Sequence, residues 1–306
     1  MSLKIVFMGT PRFSVEALDL LLKTSHKIIC IYSQPPKKSN RGQKINSSFI
    51  QSFAESKNLK VFTPFSLESD EEYEKFKNLN PDLVIVVAYG KIIPKKFLNI
   101  PKYGFINIHA SLLPKWRGAA PIQRSIMNRD KITGVSIMKL VEKLDAGPVS
   151  NQSIVQINKN TYYEELEAKL SKVGSKLLVD CLDNIESNKA NFIEQEHSKA
   201  TYAKKIKKSE AKIEWNNDAG SILAQINGLN SNLGAWFEYG KERYKIFKAE
   251  ILEKSGKPGE ILENDLVVGC KKKAIKILEI QRQGKNRQKI EDFLIGSKIK
   301  KGTNLS

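Results

Sequence analysis

The sequence predicts an α/β chain in two parts: a mostly parallel sheet covered by helices, then a small antiparallel β-barrel or sandwich. Three observations carry this prediction. Continuous apolar runs, "LKIVFMG", "KIICIY" and "LVIVVAYG", alternate with segments of helical periodicity, the pattern of strands buried on both faces. After residue 208 the rhythm changes to short strand-like runs punctuated by Gly, Asn and Asp. The 306 residues suffice for about two domains at roughly 150 residues each.

The elements follow in order. Leu3 to Gly9 reads as a buried strand, and Phe13, Ala17, Leu18, Leu21 and Leu22 share one helical face after it. Lys27 to Tyr32 is the next strand. Ser33 to Ser48 is rich in Pro, Ser, Asn and Lys and predicts an exposed flexible loop. Asn46 to Ser56 predicts a helix capped by Asn46. Leu83 to Gly90 is the most apolar run, and "GFINIHAS" follows as a further strand. Pro121 suits the first position of a helix, and Gly134 to Leu140 is another strand. A long helix is predicted from Thr161, with Thr161 and Glu164 as a capping box. Leu166, Leu170, Val173, Leu177, Leu178 and Cys181 form its apolar stripe. The expected boundaries are 1–189 for the first domain, 190–208 for a polar, basic linker and 209–306 for the second domain. In the last, "AWFEY", "RYKIFKAEIL", "GEILE", "LVVGC" and "KAIKILEIQ" predict strands.

The net charge of +18 favours a polyanion, an acidic small molecule or a membrane surface as partner. A biased, lysine-rich composition is the competing source of that charge. Residues 201–306 carry 22 basic and 13 acidic residues, and residues 1–200 carry 29 and 20, so each part is net +9 and the shorter one is the more densely charged. Cys30, Cys181 and Cys270 lie far apart without a CxxC pattern, which suggests neither a disulfide frame nor a metal site and fits a reducing compartment. No run approaches the ~18 apolar residues of a membrane span, and the N-terminal run is too short for a signal peptide, so a cytoplasmic location is expected.

The candidate chemistry sits on "GFINIHASLLPKWRGAAPIQ" (Gly104 to Gln123). Side chains alternate along a strand, so Asn107 and His109 share a face about 6.5–7 Å apart. Both lie at the carboxyl end of a strand, where open α/β sheets bind ligands. If the Gly134–Leu140 strand is a neighbour, Asp145 in "EKLDAGPV" can reach His109. An amide can donate to a developing oxyanion, an imidazole can move a proton, and a carboxylate can orient the imidazole. Without a Ser or Cys nucleophile in register, the trio suits transfer between two bound substrates. Spacing alone leaves a structural histidine as the commoner explanation.

The stretch "NIHASLLPKWRGAAPIQ" resembles the signature of the 10-formyltetrahydrofolate-dependent formyltransferases. The matching elements are Asn107 and His109, the loop Ser111 to Pro114, and Leu144-Asp145-Ala146-Gly147. Within that superfamily, Trp116 to Gln123 is similar to the members that act on methionyl-initiator tRNA. So are "FMGTPRFSVEALDLL", "VVAYGKIIP", "TYAKKIKKSEAKIEW" and "GAWF". The resemblance covers essentially the whole chain.

It implies transfer of a formyl group from 10-formyltetrahydrofolate to the α-amino group of methionyl-initiator tRNA, giving formylmethionyl-tRNA for translation initiation. It implies a Rossmann-like catalytic domain and a C-terminal barrel of the oligonucleotide-binding (OB) type. The implied catalytic residues are Asn107, His109 and Asp145. Asn107 and His109 would hydrogen-bond the formyl oxygen, and His109 with Asp145 would move protons to the folate nitrogen and from the incoming amine. The folate would lie against Ser111, Leu112, Leu113 and Pro114, against Ala88, Tyr89, Gly90 and Ile92, and against Leu140 and Val141. Arg41, with Lys37, Lys38 and Lys44, would meet the acceptor arm of the tRNA. Lys204, Lys205, Lys207 and Lys208 would follow its backbone, supplying affinity and salt dependence rather than sequence reading. A monomer is implied, and no metal is expected.

The chain departs from the family at Gln34-Pro35-Pro36, where Gln-Pro-Asp is usual, and at "NGLNSNLGAW", where Asn-Pro-x-Pro often precedes Gly-Ala-Trp. Neither touches the trio. Gly9 alone, without G-x-G-x-x-G or a P-loop, argues against a dinucleotide site. His26 and His197 read as solvated and Trp215 and Trp236 as core; Trp116 reads as core or as a tRNA-side contact, and its neighbour Arg117 favours a mixed site near the active-site mouth. No His/Cys/Asp cluster has metal-ligand spacing. Two other functions compete. One is a folate-dependent formyltransferase or hydrolase of small molecules, against which the Arg41 loop and the basic C-terminal part argue. The other is an RNA-binding protein with an inactive first domain, against which the trio argues.

Overall fold

The computed structural model describes residues 2–39, 44–231, 233–297 and 299–305. Its chain forms two compact units: residues 1–118, 133–155 and 167–202, and residues 119–132, 156–166 and 203–306.

The elements of the first half are β1 (Lys4–Gly9), α1 (Val15–Leu21), β2 (Lys27–Tyr32), β3 (Lys37–Ser39), β4 (Lys44–Asn46), α2 (Phe49–Ser56), β5 (Val61–Phe62), α3 (Asp70–Asn78), β6 (Leu83–Val87), α4 (Lys95–Leu98), β7 (Phe105–His109), α5 (Pro121–Met127), β8 (Ile132–Lys139), β9 (Val149–Gln156) and α6 (Tyr163–Glu186). A seven-stranded sheet runs β5-β2-β1-β6-β7-β8-β9. The pairs among β5, β2, β1, β6 and β7 are parallel. Every residue of β6 and β7 is buried, as strands covered on both faces require.

The sheet is mixed rather than wholly parallel, because β8 runs antiparallel to β7, with Ile106 opposite Lys139 and His109 opposite Ser136. Direction leaves no trace in an apolar run. The register decides which way β7 points its side chains. Phe105 continues the cluster of Val84, Val86, Phe76 and Phe97, and Asn107 and His109 lie in the same row. Ile106 and Ile108 point to the other face. There α6 comes so close that a Cβ on Gly174 would lie 2.8 Å from Ile108 Cγ2, so only glycine fits.

Two caps differ from expectation. Ser48, not Asn46, caps α2 by accepting from Gln51 N–H, because Asn46 is taken up in β4. Thr161 does not cap α6, which begins at Tyr163; its hydroxyl accepts instead from Asn158 N–H at 2.9 Å in the preceding turn. The segment 33–48 is not an irregular loop throughout: β3 and β4 pair as an antiparallel ladder, Lys37 with Asn46, Lys38 with Ile45 and Ser39 with Lys44. Backbone ladder bonds need no apolar pattern, so the polar composition concealed it.

The second unit adds α7 (Ala219–Gly228), β10 (Ala235–Tyr239), β11 (Glu242–Leu252), β12 (Ile261–Glu263), β13 (Val267–Gly269), β14 (Ala274–Arg282), β15 (Gln288–Lys289) and α8 (Ile290–Ile295). Five strands follow the order β10-β11-β14-β13-β12 in an antiparallel sheet, with β15 on β14. Its core holds an aromatic row: Trp215 to Phe237 at 6.0 Å, Phe237 to Tyr244 at 5.4 Å, and Tyr244 to Phe293 at 6.0 Å. Leu305 reaches into that core, and Leu305 N–H and Ile261 N–H bond Gly259 and Thr303 carbonyls at 2.8 Å. α5 packs on α7 where Gly228 meets Gln123, Ile126 and Met127. No helix among the described residues is long and apolar enough to cross a membrane.

Candidate active site

The end of β7 carries the trio. His109 Nδ1 lies 3.7 Å from Asp145 Oδ2, too long for a direct hydrogen bond but close enough for charge to be felt. Asp145 gets there although β8 is antiparallel, because the loop after β8 folds back: Leu140 N–H bonds Phe105 O and Lys139 N–H bonds Pro148 O. The same Oδ2 accepts from Gly118 N–H at 2.7 Å. Asp145 has φ +45°, and Ala88 and Trp116 have φ +49° and +59°. Non-glycine residues in this region store strain and cluster at functional sites.

The two polar side chains of β7 differ. His109 Nε2 is 2.9 Å from the Trp116 carbonyl, which can only accept, so Nε2 carries the proton and donates there. Among the described residues, none hydrogen-bonds the Asn107 amide, though Asn107 is only 8% exposed. The expectation that both residues donate to one oxygen therefore meets a competitor: His109 is committed to Trp116 O, and Asn107 is the uncommitted donor. His109 and Asp145 face each other across 3.7 Å.

The residues expected against the folate do not gather evenly. Ser111 is fully buried, its hydroxyl donating to Lys115 O at 2.5 Å and its carbonyl accepting from Ser136. Leu113 N–H is held by Ser136 Oγ, and Leu113-Pro114 is a cis peptide. The Tyr89 ring is core and burial raises its phenol pKa, so only its backbone is available to the site. That backbone is braced by Gln34, whose Nε2 donates to the carbonyls of Tyr89 and Gly90 at 2.9 and 3.0 Å. Ala88, Gly90 and Ile92 are exposed. Leu140 and Val141 line a cleft of about 610 Å³ with Phe105, Lys95 and Lys139.

Arg117 is not at a solvent-facing mouth. It is 1% exposed. Its Nε and Nη2 donate to Gln195 Oε1 at 3.1 and 2.7 Å, and Nη2 bonds His197 Nδ1 at 2.9 Å. His197 is thus engaged rather than merely solvated. His26 is buried and accepts from Leu3 N–H at 3.4 Å. Folding also brings His26, Asp183 and Glu186 together, with ligand atoms within 4.8 Å, a group that spacing along the chain could not show. Trp215 and Trp236 are core as expected. The three thiols are buried, and burial pushes Cys30 and Cys270 up to about 12, which removes them as nucleophiles.

Of the basic residues, Arg41 lies outside the described residues, and Lys38 and Lys44 are placed only as strand positions of β3 and β4. Lys37 Nζ donates to Gln34 Oε1 at 2.5 Å. Lys204, Lys205, Lys207 and Lys208 are exposed on a segment that is anchored rather than loose. Ala203 is buried, and Arg124 holds Glu210 at 2.6 and 3.1 Å and Lys204 O at 3.1 and 3.0 Å. Sequence reasoning did not single out a basic cleft of about 680 Å³ in the second unit, lined among others by Arg129, Lys131, Lys159, Lys271 and Lys272.

Residues 3–182 match the formyl transferase family, and residues 205–298 match the formyl transferase C-terminal domain. The chain is 54% identical over 308 residues to a methionyl-tRNA formyltransferase of Pelagibacter ubique (strain HTCC1062), covering 100% of this chain and 99% of that one. It is 43% identical over 301 residues to the methionyl-tRNA formyltransferase of Roseobacter denitrificans (strain ATCC 33942 / OCh 114), with 98% of each covered. Its fold is similar to that of the N-formyltransferase from Helicobacter canadensis in complex with folinic acid and dTDP-3-aminofucose: TM-score 0.69, 20% identity, 90% of this chain and 98% of that one. HypX from Aquifex aeolicus in complex with tetrahydrofolic acid gives TM-score 0.70 at 17% identity over 99% of this chain; the chain spans 51% of HypX.

Proposed function

The chain belongs to the formyl transferase family, and from that premise we propose that it moves the formyl group of 10-formyltetrahydrofolate to the α-amino group of methionyl-initiator tRNA. The product is formylmethionyl-tRNA, used to begin translation. The observation that carries the chemistry is the trio at the end of β7: an uncommitted amide on Asn107 beside the facing pair His109 and Asp145. Full-length likeness to methionyl-tRNA formyltransferases supports the choice of acceptor.

Each side chain then has one task. The Asn107 amide donates to the formyl oxygen as negative charge gathers there, an effect of low cost because the strand fixes it beforehand. The attacking amine must lose a proton, and the folate nitrogen must gain one. Asp145 and His109 pass that proton, with the Gly118 N–H holding the carboxylate toward the imidazole. The donor supplies an activated one-carbon acyl group. The exposed backbone of Ala88 and Gly90, braced by Gln34, suits a planar heterocycle that needs backbone partners, and Ser111, Leu112, Leu113, Pro114, Ile92, Leu140 and Val141 complete the assignment. Arg41, Lys37, Lys38 and Lys44 meet the acceptor arm. The exposed Lys204, Lys205, Lys207 and Lys208, with the cleft of Lys271 and Lys272, take the phosphate backbone. The enzyme acts as a cytoplasmic monomer.

The test is direct. Purified protein receives 10-formyltetrahydrofolate and methionyl-initiator tRNA, with free methionine as control. Formylation of the charged tRNA alone is expected; its absence sinks the proposal, and formylation of a small amine instead returns the small-molecule alternative. Arg41→Ala is expected to weaken tRNA use, and unchanged tRNA kinetics would remove that loop from the interface.

A further inference from the structure

We infer, on the premise of formyl transfer argued above, that Gln195 is a positioning residue: it fixes the strained backbone at Asp145 so that the carboxylate faces His109. Gln195 is 8% exposed, and its side-chain amide is saturated. Oε1 accepts from Arg117 Nε at 3.1 Å and Nη2 at 2.7 Å. Nε2 donates to the carbonyls of Asp145 at 2.9 Å and Gly147 at 2.7 Å. A guanidinium only donates and a backbone carbonyl only accepts, so the partners themselves fix which end of the amide is which.

The geometry forms a closed frame. Trp116 O accepts a hydrogen bond from His109 Nε2–H, the Arg117 side chain rests on Gln195, and Gly118 N–H holds Asp145 Oδ2. Three consecutive residues thus grip His109, Gln195 and Asp145 in turn. Asp145 has φ +45°, which persists only where surroundings over-determine it. Two contacts do so, the Gly118 bond to its side chain and the Gln195 bond to its carbonyl. The loop is further pressed onto β8, since a Cβ on Gly147 would lie 2.0 Å from Lys139 O. Arg117 is buried without a carboxylate partner among the described residues, and only Gln195 and His197 receive its side-chain donors there. Burying a cation this way is costly, and what it secures is the segment that touches both members of the proton-handling pair.

Gln195→Glu separates the two halves of the amide. It offers Arg117 a carboxylate and removes both donors to Asp145 and Gly147. The variant is expected to fold with a melting temperature no lower than the parent. Its kcat should fall by about 10- to 100-fold, as for a small misplacement of catalytic groups, with KM for either substrate within about twofold. Hydrogen exchange at the Gly118 amide should quicken, because its acceptor is no longer held. A folded variant with parental kcat and parental Gly118 protection overturns the inference. Should Gln195→Glu fail to fold, Gln195→Met carries the same two outcomes. If the parent itself does not formylate tRNA, the functional proposal falls, while Gly118 exchange still reports whether Gln195 positions the loop.

Discussion

The end of β7 and the C-terminal sheet place charge in opposite ways. At β7 the polar groups are buried, and nearly every one is met by a partner from a distant segment: Asp145 by Gly118, Arg117 by Gln195. In the C-terminal unit the core is chiefly apolar, with Trp215, Phe237, Tyr244 and Phe293 packed in a row; Asn227 and Asn230 are its buried amides, and no lysine among the described residues is buried. Chemistry on a reacting bond needs fixed dipoles shielded from water. Attraction to a phosphate backbone needs only net charge at the surface. The first region should therefore lose rate when altered, and the second stability or affinity.

The largest effect should come from the first. His109→Ala is expected to lower kcat by about 10²–10⁴, the span of general acid–base catalysis, in single-turnover assays at saturating substrates, with little change in melting temperature. A loss of stability instead would make His109 structural and erase the contrast. Phe237→Ala should do the reverse, costing about 3–5 kcal/mol in denaturant unfolding, because Phe237 is fully buried between two rings. Replacing Lys204, Lys205, Lys207 and Lys208 together by Ala should raise KM for tRNA and flatten its salt dependence by about 0.7–0.9 in logarithmic slope for each phosphate that the protein no longer neutralises. An unaltered slope would place the tRNA elsewhere. The smallest effect concerns Glu210, whose carboxyl is held below its ordinary 4.5, chiefly by its hydrogen bond with Arg124. A lowered folded pKa contributes stability above the unfolded value and loses it as pH falls through the folded one. Glu210→Gln should thus make the acid-side decline in melting temperature shallower below about pH 4.5; parallel curves would show the pair adds nothing.

Much of the fold was legible. The five C-terminal strands from Ala235 to Arg282 and the Pro121 start of α5 fall where apolar runs and turn residues put them. So does the row that Asn107 and His109 share, since alternation on a strand is local. What was not legible depends on partners far along the chain. The antiparallel sense of β8 is a property of pairing, not of composition. Asn46 looked like a cap until it was claimed by a strand, leaving Ser48 the role. Gln195 sits in a stretch whose polar, basic character suggested a linker, and its bond to Arg117 spans 78 residues. No periodicity announces such a pairing.

The packing of α5 on α7, and of Leu305 into the C-terminal core, also sets a timetable. A ribosome adds about 5–20 residues per second. The first unit holds no residue beyond 202, so its chain is complete early. The second contains residues 119–132 but needs Gly228 to cover α5 and Leu305 to fill its core. Ile126 precedes Gly228 by about a hundred residues, roughly 5–20 seconds of synthesis. During that interval Ile126 waits without the helix that will cover it, and this stretch of the nascent chain is the one that a chaperone would be needed to guard.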